Sequence, residues 1–170
     1  MTSAVLKTAQ NDRDPSRKAE PGSAARAAEL QAVNINPRTG LATDYLNHFN
    51  EAIMLLEMIP DMPECAEDFL AWNPLSYAEH FIASNFKDRD LAIEAYEMTE
   101  PGIRAEFDKL TDNMTSILTA VGSAMREARQ DRTRATLAEQ ATGWVKPLVM
   151  QTAGVINGAS EANVEAIMAN

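Results

Sequence analysis

From residue 103 to residue 128, apolar side chains recur at spacings of four and three: Ile103, Phe107, Leu110, Met114, Ile117, Val121, Met125 and Ala128. A helix turns by about 100° per residue, so this spacing lines one helical face, whereas a strand would scatter it over both of its faces. A stripe of this length has to be covered by other helices, most simply within a bundle. Thr99-Glu100-Pro101-Gly102 suits its start, because a proline in the first turn has no amide to leave unsatisfied. Leu110 and Ile117 are expected deep in the core, and Gly122, Ser123 and Ala124 would let a neighbouring backbone come close.

The same period appears elsewhere. Leu41, Ala42, Tyr45, Leu46, Phe49, Ala52, Ile53, Leu56 and Ile59 form a broad stripe that Pro60 ends. Asp61, with Pro63 and Glu64 behind it, reads as the cap of a short helix through Phe69 and Trp72. Asn73-Pro74 reads as the start of another through Leu75, Ala78, Ile82, Phe86, Ile93 and Tyr96, broken near Asp88. Leu137, Ala141, Trp144, Leu148 and Val155 give a last long pattern, in which Pro147 predicts a kink or break. No segment alternates with period two, and Asn157-Gly158 suits a helix C-terminus better than a hairpin. The expected fold class is all-α, a compact bundle of four to six helices.

Residues 1–38 contrast with this. They are rich in Ala, Ser, Gln and mixed charge, with Pro15 and Pro21 and few large apolar residues. Such a segment buries too little to offset its ordering entropy, so a flexible tail is expected. Within it, residues 24–33 could become a short helix if something binds them, and Asn36–Gly40 makes the turn into the folded part. The expected organisation is a tail over 1–38, a helical bundle over 39–158 and a short terminal helix over 159–170, capped by Ser160.

A single cysteine, Cys65, rules out an internal disulfide framework and suits a reducing compartment. No stretch reads as a signal peptide, and no apolar run approaches the ~18 residues of a membrane span. A cytoplasmic protein without a membrane span is expected. Its formal charge of −10 is unevenly placed: residues 44–100 hold thirteen acidic and two basic side chains, a balance of −11. Nucleic-acid affinity rests on neutralising phosphates, so an acidic body argues against that role.

Chemistry-bearing residues are sparse. His48 has Asp44 at i−4 and Glu51 at i+3, so the three share a helical flank and form the one candidate metal set in the sequence. The carboxylates are expected to raise the His48 pKa. His80 is expected on the far side of its own helix from the stripe through Ala78 and Ile82, a separate polar residue from His48 and titrating independently. The Glu-x-x-His signature of di-iron bundles is absent, since Tyr45 and Tyr77 stand three residues before the two histidines. Cys65 lies near an expected helix start, where its pKa could fall, although a small apolar role suits it better. No phosphate-binding glycine loop, nucleophile elbow or paired-cysteine motif occurs.

Met58, Met62, Phe69 and Trp72 cluster round a proline-rich corner with carboxylates between them. Methionines and aromatics anchor interfaces, though they also fill helix corners. The resulting expectation is a non-enzymatic adaptor or regulatory protein without a cofactor, binding a basic protein partner through the acidic region 44–100. Glu64, Glu67, Asp68 and Trp72 are the candidate contacts. A metal- or small-ligand-binding bundle using Asp44, His48 and Glu51 is the alternative, and self-association through the 103–128 seam into a homo-oligomer is a third.

Overall fold

In the computed structural model, which describes residues 23–158, seven α-helices and one 3-10 turn carry the chain. The helices are α1 (Ala24–Ala32), α2 (Leu46–Met58), α3 (Cys65–Ala71), α4 (Tyr77–Ala83), α5 (Arg89–Glu97), α6 (Pro101–Glu127) and α7 (Asp131–Ile156); the 3-10 turn is Thr43–Tyr45. The class is all-α as expected, with one helix more than the upper estimate. Among the described residues there is no strand, and no helix is long and apolar enough to cross a membrane.

The two long helices α6 and α7 form an antiparallel hairpin, and α2 packs along α7. The start of α2 lies near the end of α7. Thr39 Oγ1 donates to the Ile156 carbonyl at 2.6 Å at that end, and Lys146 pairs with Glu57 at the other. The short α3 bridges α2 and α6, while α4 and α5 pair beside the 3-10 turn. Phe49, Phe81, Phe107, Leu56, Met114 and Met125 fill the centre.

On α6 the buried line is Phe107, Thr111, Met114, Leu118, Val121, Gly122 and Met125. Leu110 and Ile117, expected in the core, are only half-buried on its flank. The stripe is rotated because Thr111 enters the core, its hydroxyl satisfied by the Asp108 carbonyl one turn back at 3.1 Å. Gly122 does not serve close helix packing: a side chain there would meet only the Arg126 guanidinium, at 3.8 Å. The α7 line is likewise shifted, to Ala138, Ala141, Val145, Thr152, Val155 and Ile156, leaving Trp144 54 % exposed. The helix runs unbroken through Pro147. The carbonyl that this proline cannot serve, that of Gly143, belongs to an exposed residue within reach of water.

Several helix ends differ from expectation. Asp61 caps nothing; α3 begins at Cys65 after a tight turn over Met62–Glu64. Asn73 does not start α4, because Ser76 and Glu79 form a full capping box there and displace the start to Tyr77. The break near Asp88, the Pro101 start of α6 and the helix end at Asn157-Gly158 occur as the sequence indicates.

The expected tail is the largest correction. Residues 24–32 are helical within the isolated chain, capped by Ser23, whose Oγ accepts the Arg26 N–H at 3.0 Å. Leu30 and Ile35 belong to the core, Ile35 being 1 % exposed. Asn36–Gly40 then turns sharply, closed by the Gly40 N–H on the Asn36 carbonyl at 2.7 Å. Two well-placed aliphatics outweigh a polar average composition. Residues 1–22, and the expected helix over 159–170 with Ser160, lie outside the described residues.

Candidate functional site

The two histidines come together. His48 is 5 % exposed on α2, and His80 on α4 stands beside it with ring centroids 6.1 Å apart. The expectation that His80 faces away rested on a stripe through Ala78 and Ile82. The buried line of α4 is instead Tyr77 and Phe81, with Ile82 54 % exposed. Three residues after Tyr77, His80 falls on the inward face.

Each ring has a separate partner. His80 Nε2 lies 3.0 Å from Asp44 Oδ2, while His48 Nε2 accepts the Leu75 N–H at 2.9 Å. Asp44 thus serves His80 rather than its helical neighbour His48, and Glu51 is exposed. Among the described residues, no three His, Cys, Asp or Glu side chains are grouped to hold a metal ion.

An aromatic shell encloses the pair. The Trp72 ring stacks on His48 at 4.6 Å, and its indole N–H donates to the His48 carbonyl at 3.1 Å. Tyr45 lies 6.1 Å from His48 and 5.5 Å from His80, and its hydroxyl donates to the Leu75 carbonyl at 2.6 Å. Tyr77 accepts the Ala42 N–H at 3.0 Å. Burial, and secondarily the charge of His80, push the His48 pKa down to about 4, opposite to the expected rise. The flanking carboxylates fail to raise it because one is turned to His80 and the other to solvent. Burial also raises the Tyr45 and Tyr77 hydroxyls.

With its Nε2 lone pair occupied, a neutral His48 carries its proton on Nδ1. The cluster therefore acts as a clasp: one turn of α2 and the turn before it satisfy both backbone groups of Leu75 and hold the 72–76 connection. Cys65 is buried, and burial raises its pKa, with the Glu64 and Asp68 charges adding to the rise. It behaves as a small apolar residue rather than an activated thiol.

The acidic candidates lie on the adjoining surface. Between residues 39 and 86 there are eight carboxylates and no lysine or arginine. Glu51, Glu57, Asp61, Glu64, Glu67, Asp68 and Glu79 among them are exposed. Met54 and Met62 are exposed on the same segment, at 55 % and 38 %. Trp72 is half-buried and forms one wall of a cleft of about 150 Å³ with Phe69, Leu70, Pro74, Leu118 and Gly122. Arg126 borders the cleft, donating to the Leu70 carbonyl at 3.0 Å. Sequence reasoning found the surface residues but missed the cleft, which α6 completes from far along the chain.

No protein-family model, curated protein or solved structure matches the chain.

Proposed function

We propose that the chain is a binding protein, adaptor or regulatory in role, whose α2–α3 surface takes a basic segment of a partner protein. The observation that carries this reading is the row of exposed Glu64, Glu67 and Asp68 at the start of α3, the helix whose Phe69 and Leu70 line the Trp72 cleft. A run of like charge with no lysine or arginine from 39 to 86 repels itself, and a cationic partner relieves that repulsion. The cleft supplies what charge alone does not: a recess for one apolar anchor, with an indole at its wall. Steering by the charges and insertion of an anchor are separable, because only the first is screened by salt.

The test compares immobilised wild-type chain with the Glu64→Lys, Glu67→Lys, Asp68→Lys triple variant in affinity capture at about 0.15 M salt. All three positions are exposed, so the variant keeps its core. A basic protein retained by the wild type and lost from the variant is the expected result. Identical retention on both matrices overturns the reading.

A further inference from the structure

Arg26 is buried, 4 % exposed, although it stands on a short surface helix. A guanidinium removed from water needs acceptors for its N–H donors. Nη2 has one in Glu94 Oε1 at 3.3 Å. Nη1 has no hydrogen-bond partner, and Glu29 Oε2 stands 3.6 Å from it as an ion-pair contact only.

The same side chain lines a cavity of about 340 Å³ between α1, the 37–40 turn and the junction of α5 and α6. Arg38 lines it from the opposite segment and forms no ion pair among the described residues. Two arginines thus line one recess in a protein of net charge −10, the Arg38 guanidinium resting beside Gly158 at the end of α7. Glu100, the carboxylate on the rim, is already committed: it accepts the Gly102 and Ile103 N–H groups at 3.0 Å each, which holds its pKa below the usual carboxylate range. The threonine hydroxyls in the wall are spent on carbonyls, Thr39 on Ile156 and Thr99 on Thr39 and Ala95. The Arg38 guanidinium and Arg26 Nη1, the one nitrogen there shown to lack a hydrogen bond, remain as donors, against an apolar wall that includes Leu30, Ala95 and Met98.

We propose that this cavity binds a small carboxylate with an apolar body, its oxygens on Arg38 and on Nη1 of Arg26, where a hydrogen bond to the ligand replaces the longer ion-pair contact with Glu29. The planar fork of arginine matches a carboxylate, and the volume lies at the low end of ligand sites, which sets the size class at that of an aromatic or medium-chain acid. Nη1 is shielded from solvent, so binding turns the Arg26 guanidinium about its last torsions to meet the ligand. This site is independent of the α2–α3 surface.

The probe is sodium benzoate, titrated into the full chain and followed by amide NMR shifts, with benzylamine and inorganic phosphate in parallel. Saturable shifts at Ala27, Gly40 and Thr99 with benzoate are expected, absent with benzylamine. Arg38→Gln should weaken binding about tenfold, the loss for one charge-assisted hydrogen bond, and Arg26→Lys comparably. Arg38 is exposed, so its variant decides the matter even where the Arg26 variant fails to fold. No saturable shift with benzoate, equal response to benzylamine, or unchanged affinity in Arg38→Gln overturns the proposal. Phosphate binding as tightly as benzoate overturns the apolar-body assignment.

Discussion

His48 accepts the backbone N–H of Leu75 at 2.9 Å, and this bond joins a helix to a connection twenty-seven residues away. Tyr45, three residues earlier, donates to the carbonyl of the same Leu75, so both of its backbone groups are satisfied by side chains. A connection without regular hydrogen bonding is held in this way as firmly as a helix end. The acceptor role demands a neutral ring, and the low pKa of His48 follows from the same burial that makes the bond possible.

Acid should therefore act through His48. The folded chain keeps the ring neutral down to about pH 4, whereas an unfolded chain protonates it near 6.5. Between these values the unfolded state binds more protons, so stability falls as pH falls. The contribution is whole above 6.5, is lost through the window, and amounts to about 3 kcal/mol. Histidine NMR titration checks it; a His48 pKa at or above 6.5 would sink the account. Because the His80 charge adds to the depression, His80→Gln should move the His48 value upward.

Truncation separates the bond from the packing. His48→Ala leaves the Leu75 N–H without its acceptor and a void under the Trp72 ring, at a cost of roughly 3 kcal/mol. His48→Gln retains an acceptor that does not titrate, so it should cost about half as much and abolish the acid-side loss. Urea unfolding followed by tryptophan fluorescence at two pH values measures both. Equal costs for the two variants would show that stacking, not the hydrogen bond, is the dominant contribution.

The rotated α6 stripe gives a direct comparison. Leu118 is 2 % exposed and Leu110 is half-buried, so Leu118→Ala should cost on the order of 3 kcal/mol and Leu110→Ala about 1. A reversal of this order in chemical denaturation would restore the stripe that spacing alone suggests.

Those two leucines also show what the sequence makes legible. Phe107, Met114, Val121 and Met125 belong to the buried face under either choice of stripe, so the helix and its general orientation follow from periodicity. The choice between Leu110 and Leu118 turns on whether Thr111 faces inward, and a hydrophobic pattern treats a threonine as polar although its hydroxyl can be satisfied within its own helix. The short α4 misleads for a different reason: seven residues give too few repeats to distinguish Tyr77 and Phe81 from Ala78 and Ile82. That misassignment displaced His80. The Leu75 clasp and the Arg26 cavity join segments 27 and 68 residues apart, and no local spacing encodes such partners.

The segment before residue 37 should prove structural. Ile35 is 1 % exposed, and Ile35→Ala is expected to cost about 3 kcal/mol, lowering the melting temperature on the order of 10 °C. Removing residues 1–36 takes away Leu30 as well and should lower it further. An unchanged melting temperature on deletion would return this segment to the status of a tail.

Two glycines should respond with opposite sign to the same substitution. Gly40 has φ +77°, and a Cβ there would lie 2.7 Å from the Ala95 carbonyl oxygen and 3.1 Å from Thr99 Oγ1. The nearest obstacle is backbone, which cannot swing aside, and an L side chain is strained at this φ in any case. Gly40→Ala should destabilise by roughly 2–4 kcal/mol, from left-handed strain plus overpacking. Gly143 sits inside α7 with nothing within 4 Å of the added carbon. There the alanine only reduces the freedom of the unfolded chain, so Gly143→Ala should stabilise by about 0.5–1 kcal/mol. Thermal melts of the two variants decide it. A stable Gly40→Ala protein would mean that the 36–40 turn can withdraw from α5, and the wall of the Arg26 cavity would then be adjustable rather than fixed.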